Sequence, residues 1–217
     1  MRVVSHRAES RRPWVRRVLG VGALVVFFVV MLAVIAALAF SVKVSGSSME
    51  PTLSTGDRLL VDPFGTGEIA RFDIIESTLG DREIPVVKRV IGLPGDQVRV
   101  RLEKAGPPVV EVRPAGARTT YVVANPTWPG RTGDKVAPCC ADDGTSLRPD
   151  VRPAWATVPD GGYWVIGDNW GGSDDSRTFG FVTAGQVRAR IVYRLQPLGE
   201  LGPVPNDARL VEVAATP

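Results

Sequence analysis

Residues Pro85 to Glu103 read PVVKRVIGLPGDQVRVRLE, and this stretch decides the fold class. Gln97 to Glu103 alternates strictly and places Val98, Val100 and Leu102 on one face, the period-two signature of a half-buried strand. Ahead of it, Pro85 to Leu93 is a further run of β type. Between the two, Leu93-Pro94-Gly95-Asp96 puts Pro and then Gly at the centre of a type II turn. The stretch therefore predicts two short strands joined tightly.

The same punctuation recurs on both sides. Arg58 to Val61, Phe72 to Ile75, Val109 to Val112, Tyr121 to Val123, Gly162 to Gly167 and Arg190 to Leu195 read as further strands. A load of 23 Gly and 18 Pro in 217 residues favours many turns over long helices. Asn125 to Gly161 loosens into Pro, Gly, Asp and Thr around Trp128 and Trp155, so an irregular, exposed insertion is expected there. From Pro197 the chain reads as a frayed tail. The expected fold class is mainly β, an antiparallel β-sheet body, with no internal repeat or heptad pattern.

One segment breaks the β pattern. Val18 to Phe40 contains no charged residue, and 23 residues of helix span a bilayer core of roughly 30 Å. Six arginines and one glutamate precede it, giving +5 against an overall +3, so the remainder carries −2. Arginines on that side predict a cytoplasmic N-terminus and an extracytoplasmic body, anchored once in the cytoplasmic membrane. Ala37-Leu38-Ala39 has the small-x-small form of a cleavage site, which leaves a removable signal peptide or self-processing as the alternative; the apolar run is longer than a signal-peptide core. The expected layout is a basic tail at 1–17, a transmembrane helix at 18–40, an extracytoplasmic domain at 41–198 and a tail at 199–217. Within that domain the core is 41–98 and 158–198, and the insertion is 99–157. A slightly acidic body argues against nucleic acid as a partner, whereas the lipid bilayer is one. No sequence pattern specifies an oligomeric state.

Just beyond the apolar run lies Gly46-Ser47-Ser48-Met49-Glu50-Pro51-Thr52-Leu53. Serine in a turn is usually a cap, and it becomes a nucleophile only beside a base. The sole histidine, His6, lies on the other side of the predicted span, which excludes a Ser-His-Asp triad within the chain. The body also lacks imidazole for a metal site, and no cofactor is called for. Lysine remains. There are four (Lys43, Lys88, Lys104, Lys135) against 22 arginines, and only lysine of the two can surrender its proton. Lys88 shares its strand face with Val86 and Val90, apolar neighbours that lower an ammonium pKa. The competing reading is a lysine whose stem covers a half-exposed strand.

A third polar segment, Gly167-Asp168-Asn169-Trp170-Gly171-Gly172-Ser173-Asp174-Asp175-Ser176-Arg177, follows a hydrophobic strand, and its glycines permit close approach of another backbone. It also reads as an Asx-rich turn with a surface Asp–Arg pair, and it lacks the ligand spacing of a calcium loop. Cys139 and Cys140 are adjacent, too close for an ordinary disulfide; a strained vicinal bridge, an intermolecular bridge or two free thiols stay open.

Taken together, Ser48 to Leu53, Gly56 to Val61, Lys88 to Asp96 and Gly167 to Val182 resemble the bacterial type I signal peptidases, membrane-bound Ser-Lys endopeptidases. The resemblance implies Ser48 as nucleophile, Lys88 as general base, Ser173 as the hydroxyl orienting the lysine, and Asp175 with Arg177 as a supporting ion pair. It implies an oxyanion hole built on the Ser48 N–H; where some members add a serine hydroxyl, this chain has Gly46. The implied substrates are exported preproteins with signal peptides, cut after small residues at the third and first positions. Seven residues separate Phe40 from Ser48, which keeps the nucleophile within about 30 Å of the span. Trp170 is expected to be exposed and to help seat the body at the membrane interface. A narrower processing peptidase of the superfamily and a catalytically silent membrane-anchored binding module are the alternatives, and peptide cleavage separates the latter.

Overall fold

The computed structural model describes residues 13–103, 108–128, 137–148 and 151–213. The chain divides into two units, Met1–Phe40 and Ser41–Pro217. The first contains one 27-residue helix, α1 (Pro13–Ala39). Its Val, Leu, Phe and Ile side chains are exposed all round, as suits a helix whose apolar surroundings are lipid rather than protein. It is long and apolar enough to cross a membrane. It starts ahead of Val18 because Arg16 and Arg17 are good helix formers and extend it.

The second unit is β-rich. In chain order its strands are β1 (Ser41–Lys43), β2 (Arg58–Asp62), β3 (Ile74–Ser77), β4 (Val86–Gly92), β5 (Gln97–Arg101), β6 (Val109–Arg113) and β7 (Tyr121–Ala124). They continue with β8 (Ala156–Thr157), β9 (Gly162–Ile166), β10 (Val182–Thr183), β11 (Val187–Gln196), β12 (Gly202–Pro203) and β13 (Arg209–Glu212). A short helix, α2 (Ser176–Phe179), precedes β10. The larger sheet runs β1-β2-β11-β3-β4-β9-β10 with β12 beside β11, and the smaller runs β13-β7-β6-β5-β8. The pairings are antiparallel. Irregular register along β11, which pairs with β2, β3 and β12, bends the larger sheet.

β4 and β5 link the sheets through the expected turn. Asp96 N donates to Leu93 O at 3.0 Å, and Gly95 takes φ +80°, which a residue with a Cβ resists. The Asp96 carboxylate also accepts from Leu93 N and Ala115 N and pairs with Arg71, so a single buried acid pins the junction. Val98 and Val100 are buried as their alternation predicts. Leu102 differs: β5 ends at Arg101 and Leu102 is exposed, because the strand's partner β6 starts opposite Arg101. Phe72 likewise falls outside its predicted strand, in a left-handed conformation (φ +74°) that precedes β3.

Two larger expectations are corrected. The presumed loose insertion carries fully buried Cys139 and Cys140, which form a vicinal disulfide, and Cys139 bonds to Val100 through both backbone groups. Those residues pack with Val98, Val112 and Trp164 in the core of the smaller sheet, which explains their burial. The segment read as a frayed tail contains two paired strands, with β12 on β11 and β13 on β7 over four residues. Backbone pairing orders it where its exposed side chains give little burial.

Candidate active site

Val44 leaves β1 and its backbone is held to Asp57 and Gly56 (Val44 N to Asp57 O 2.8 Å; Gly56 N to Val44 O 3.0 Å). The chain then turns sharply: Glu50 N donates to Ser47 O at 3.0 Å and Leu53 N to Met49 O at 2.9 Å. Met49 and Leu53 are buried with Val44, Leu59, Ile74 and Ile191, and they anchor the turn that carries Ser48. Gly46 sits at φ +110°, with open space where a Cβ would be. The conformation, not crowding, demands glycine there. The Ser48 N–H has no acceptor among the described residues.

Lys88 occupies the third position of β4, opposite Ile75 of β3. Its side chain is 2 % exposed, and Nζ lies 2.7 Å from Ser48 Oγ and 3.0 Å from Val87 O. Burial pushes its pKa down from 10.5 to about 8; Asp175 and Asp174 pull the other way, and Arg177 adds to the lowering. A stable fraction of free amine near neutral pH follows, in hydrogen-bonding contact with a hydroxyl.

The third segment closes the site from the far end of the sequence. β9 ends at Ile166, and Gly167 passes so close to the Ser48 turn that a Cβ would overlap the Ser48 carbonyl oxygen and the Ser173 side chain. Asn169 then donates from N to Ser48 O (3.0 Å) and from Nδ2 to Ser47 O (3.1 Å). Asp175 is fully buried: it caps α2 through Arg177 N, accepts from Gly167 N at 3.0 Å and pairs with the Arg177 guanidinium at 2.7 Å. The expected Asp175–Arg177 pair is thus present, and it also braces Gly167. Ser173 lines the same cleft as Ser48 and Lys88, but its Oγ is buried without a hydrogen-bond partner and makes no bond to Lys88.

A neighbouring pair was not singled out from the sequence. Arg89 and Asp168 are both closed off from solvent and meet through two bonds (Nε–Oδ1 2.9 Å, Nη2–Oδ2 2.7 Å). Trp128 Nε1 and Thr52 Oγ1 also donate to Asp168, while Arg89 reaches Phe72 O and Asn206 Oδ1. Asp168 therefore ties the turn carrying Ser48 to the strand carrying Lys88. The available signal was an arginine inside an apolar strand, next to the candidate base.

Trp170 corrects the expectation of an exposed interface anchor. It is 5 % exposed and packs edge-on against Trp128 with ring centroids 4.8 Å apart. Two aromatic faces removed from water outweigh exposure of one. Among the described residues no group of three or more His, Cys, Asp or Glu side chains is arranged to hold a metal ion.

Two connected depressions flank Ser48. The wider is lined by Ser48, Lys88, Ser173, Trp170 and Arg177. The narrower, of about 260 Å³, is walled by Val42, Val44, Met49, Val86 and Val87. Strand edges border it: among the described residues β1 has no neighbour beyond β2, and β9 covers β4 only from Arg89 onward. A serine hydroxyl, a neutralisable amine and an open strand edge thus converge at one place.

A family model described as "Signal peptidase, peptidase S26" matches residues 12–196. Signal peptidase IB of Staphylococcus aureus is 28% identical over 183 residues, covering 82% of this chain and 88% of its own. A probable signal peptidase I-2 of Synechocystis is 29% identical over 182 residues, covering 80% of this chain and 71% of its own. Among solved structures, a signal peptidase I of Enterococcus faecalis aligns with a TM-score of 0.41 at 26% identity, over 57% of this chain and 96% of that one.

Proposed function

The chain belongs to the signal peptidase family, peptidase S26, and from that premise we propose that Ser48 and Lys88 are its catalytic pair. The protein is a serine endopeptidase that removes signal peptides from preproteins, and its apolar helix α1 is consistent with a membrane anchor. The observation that carries the assignment of the pair is the 2.7 Å contact between Lys88 Nζ and Ser48 Oγ, with the lysine buried and its pKa lowered to about 8.

In this reading a signal peptide lies extended in the narrower cleft as an added strand between the β1 edge and the uncovered start of β4. Alternate side chains of such a strand face the same way, so the residues first and third before the cut enter the cleft together. Its small volume, with Val42, Val44, Met49, Val86 and Val87 among its lining, favours small side chains at both. Ser48 Oγ attacks the scissile carbonyl carbon and passes its proton to Lys88 Nζ. The Ser48 N–H supports the developing oxyanion, and Gly46 leaves its neighbourhood free of a side chain. Lys88 then gives the proton to the leaving amine, and an acyl ester remains on Ser48. Water, deprotonated by Lys88, attacks the ester and releases the new carboxylate and free Ser48. The Asp175–Arg177 pair braces Gly167 and with it the segment that faces Lys88.

The arginines before Val18 support an N-terminus in the cytoplasm and a body on the outer face of the cell membrane. Cleavage of a preprotein by the detergent-solubilised chain, with Ser48→Ala as control, tests the function. An uncleaved preprotein would contradict it.

A further inference from the structure

One wall of the narrower cleft is not apolar. Glu76 of β3 lines it together with Val42, Val44, Met49 and Val87. Its register explains the placement. Glu76 stands directly opposite Val87, and residues so paired in an antiparallel sheet project to the same face. Val87 packs on the buried cluster of Val44 and Met49, so the carboxyl group is held over the same apolar floor.

No hydrogen bond or ion pair satisfies Glu76 among the described residues. Arg188 acts on it electrostatically, while the Arg188 guanidinium donates to Glu83 O at 3.2 Å. Burial raises the Glu76 carboxyl above the usual range, an independent sign that its side of the cleft is partly dry. A substrate chain settling there strips away more water and leaves the acceptor unpaired unless the substrate supplies a donor.

We propose that Glu76 is a specificity-determining residue that makes this cleft favour a hydroxyl-bearing substrate side chain, serine or threonine, over alanine or valine. The proposal rests on the peptidase reading above. A neutral donor suits the site better than a cation, because Lys43 already lines the cleft and Arg188 already acts on the carboxylate. Alanine fits the volume but leaves Glu76 without a partner. Sites built around a buried acceptor discriminate against the analogue that lacks the donor more strongly than apolar pockets discriminate by a methylene.

The test uses the full chain in detergent and peptides that differ only by Ser or Ala at the first or at the third position before the cut. The wild type is expected to show a higher kcat/KM for serine at one of these positions, by roughly tenfold. Glu76→Val should erase that ratio and Glu76→Gln, which keeps an acceptor of the same shape, should retain part of it. The ratio compares two substrates on one enzyme, so a change in absolute rate does not affect it. Equal rates on Ser and Ala peptides in the wild type, or an unchanged ratio in Glu76→Val, would overturn the role of Glu76. Failure of the wild type to cleave any of the peptides would instead overturn the peptidase assignment of the cleft, and this inference with it.

Discussion

Arg89 and Asp168, 79 residues apart in sequence, meet in a two-bond ion pair from which solvent is excluded. The pair is where the strand carrying Lys88, the turn carrying Ser48 and the segment after β9 are joined, through the additional bond from Thr52. Asp168→Ala would leave a buried guanidinium without its carboxylate and would strip Trp128 and Thr52 of an acceptor. A loss of about 3–5 kcal/mol is expected. The exposed pair Arg82–Asp174, with side chains 59% and 66% accessible, supplies the contrast. Asp174→Ala should cost at most about 1 kcal/mol. Urea unfolding of the detergent-solubilised chain measures both; equal costs would contradict the assignment of Asp168 as the junction.

Gly167 is a second structural constraint on the site. Alanine there drives a Cβ into the Ser48 carbonyl oxygen, a backbone atom that cannot swing aside. The hydrogen bond from Asn169 N to Ser48 O should be lost and the turn carrying Ser48 displaced. Gly167→Ala is therefore expected to lose at least about a hundredfold in cleavage rate, as misplacement by about an ångström does. Gly185, where a Cβ meets nothing within 4 Å, should tolerate alanine with activity unchanged. Comparable rates for the two variants would contradict this.

Burying Lys88 costs stability. Its pKa falls from 10.5 to about 8 in the folded protein, so the folded state disfavours the ammonium by roughly 3 kcal/mol. The penalty is complete below pH 8, where both states are protonated. It shrinks as pH rises from 8 to 10.5 and is gone above that, where neither state is. Lys88→Met, similar in volume and uncharged, should therefore unfold at higher denaturant than the wild type at pH 7, with a margin that narrows toward pH 10. Lower stability of Lys88→Met at pH 7 would contradict the desolvated lysine.

The same shift sets the pH dependence of cleavage. A general base works as the free amine, so the single-turnover rate should fall about tenfold per pH unit below 8 and level off above it. A flat profile between pH 6 and 9 would argue for another base.

Much of this arrangement was legible in the sequence because it is local. Alternation through Gln97–Arg101 and the Leu93–Asp96 turn report backbone geometry within a few residues, and both are realised. Lys88 stood out because apolar neighbours on a strand imply desolvation, and it lies 2.7 Å from Ser48. What was not legible depends on distant partners. Asp168 reads as a turn residue until Arg89 and Trp128 arrive from elsewhere in the chain. Trp170 reads as exposed among glycines until Trp128 covers it. β13 carries mostly exposed side chains, so only its pairing with β7 gives it away. Glu76 sits in an unremarkable strand, and its cleft exists only once β1, β3 and β4 are assembled.

Replacement of Lys88 by arginine is the most direct test of the catalytic pair. Arginine keeps the charge and much of the stem but remains protonated at any workable pH, so it can serve an ion pair and cannot serve as a base. Single-turnover cleavage of an Ala-x-Ala peptide is to be compared for wild type, Ser48→Ala, Lys88→Arg and the double variant, with circular dichroism as the control for folding. The account predicts a folded Lys88→Arg as slow as Ser48→Ala, each down by roughly a thousandfold or more, and a double variant no slower than either. Substantial cleavage by a folded Lys88→Arg would contradict it.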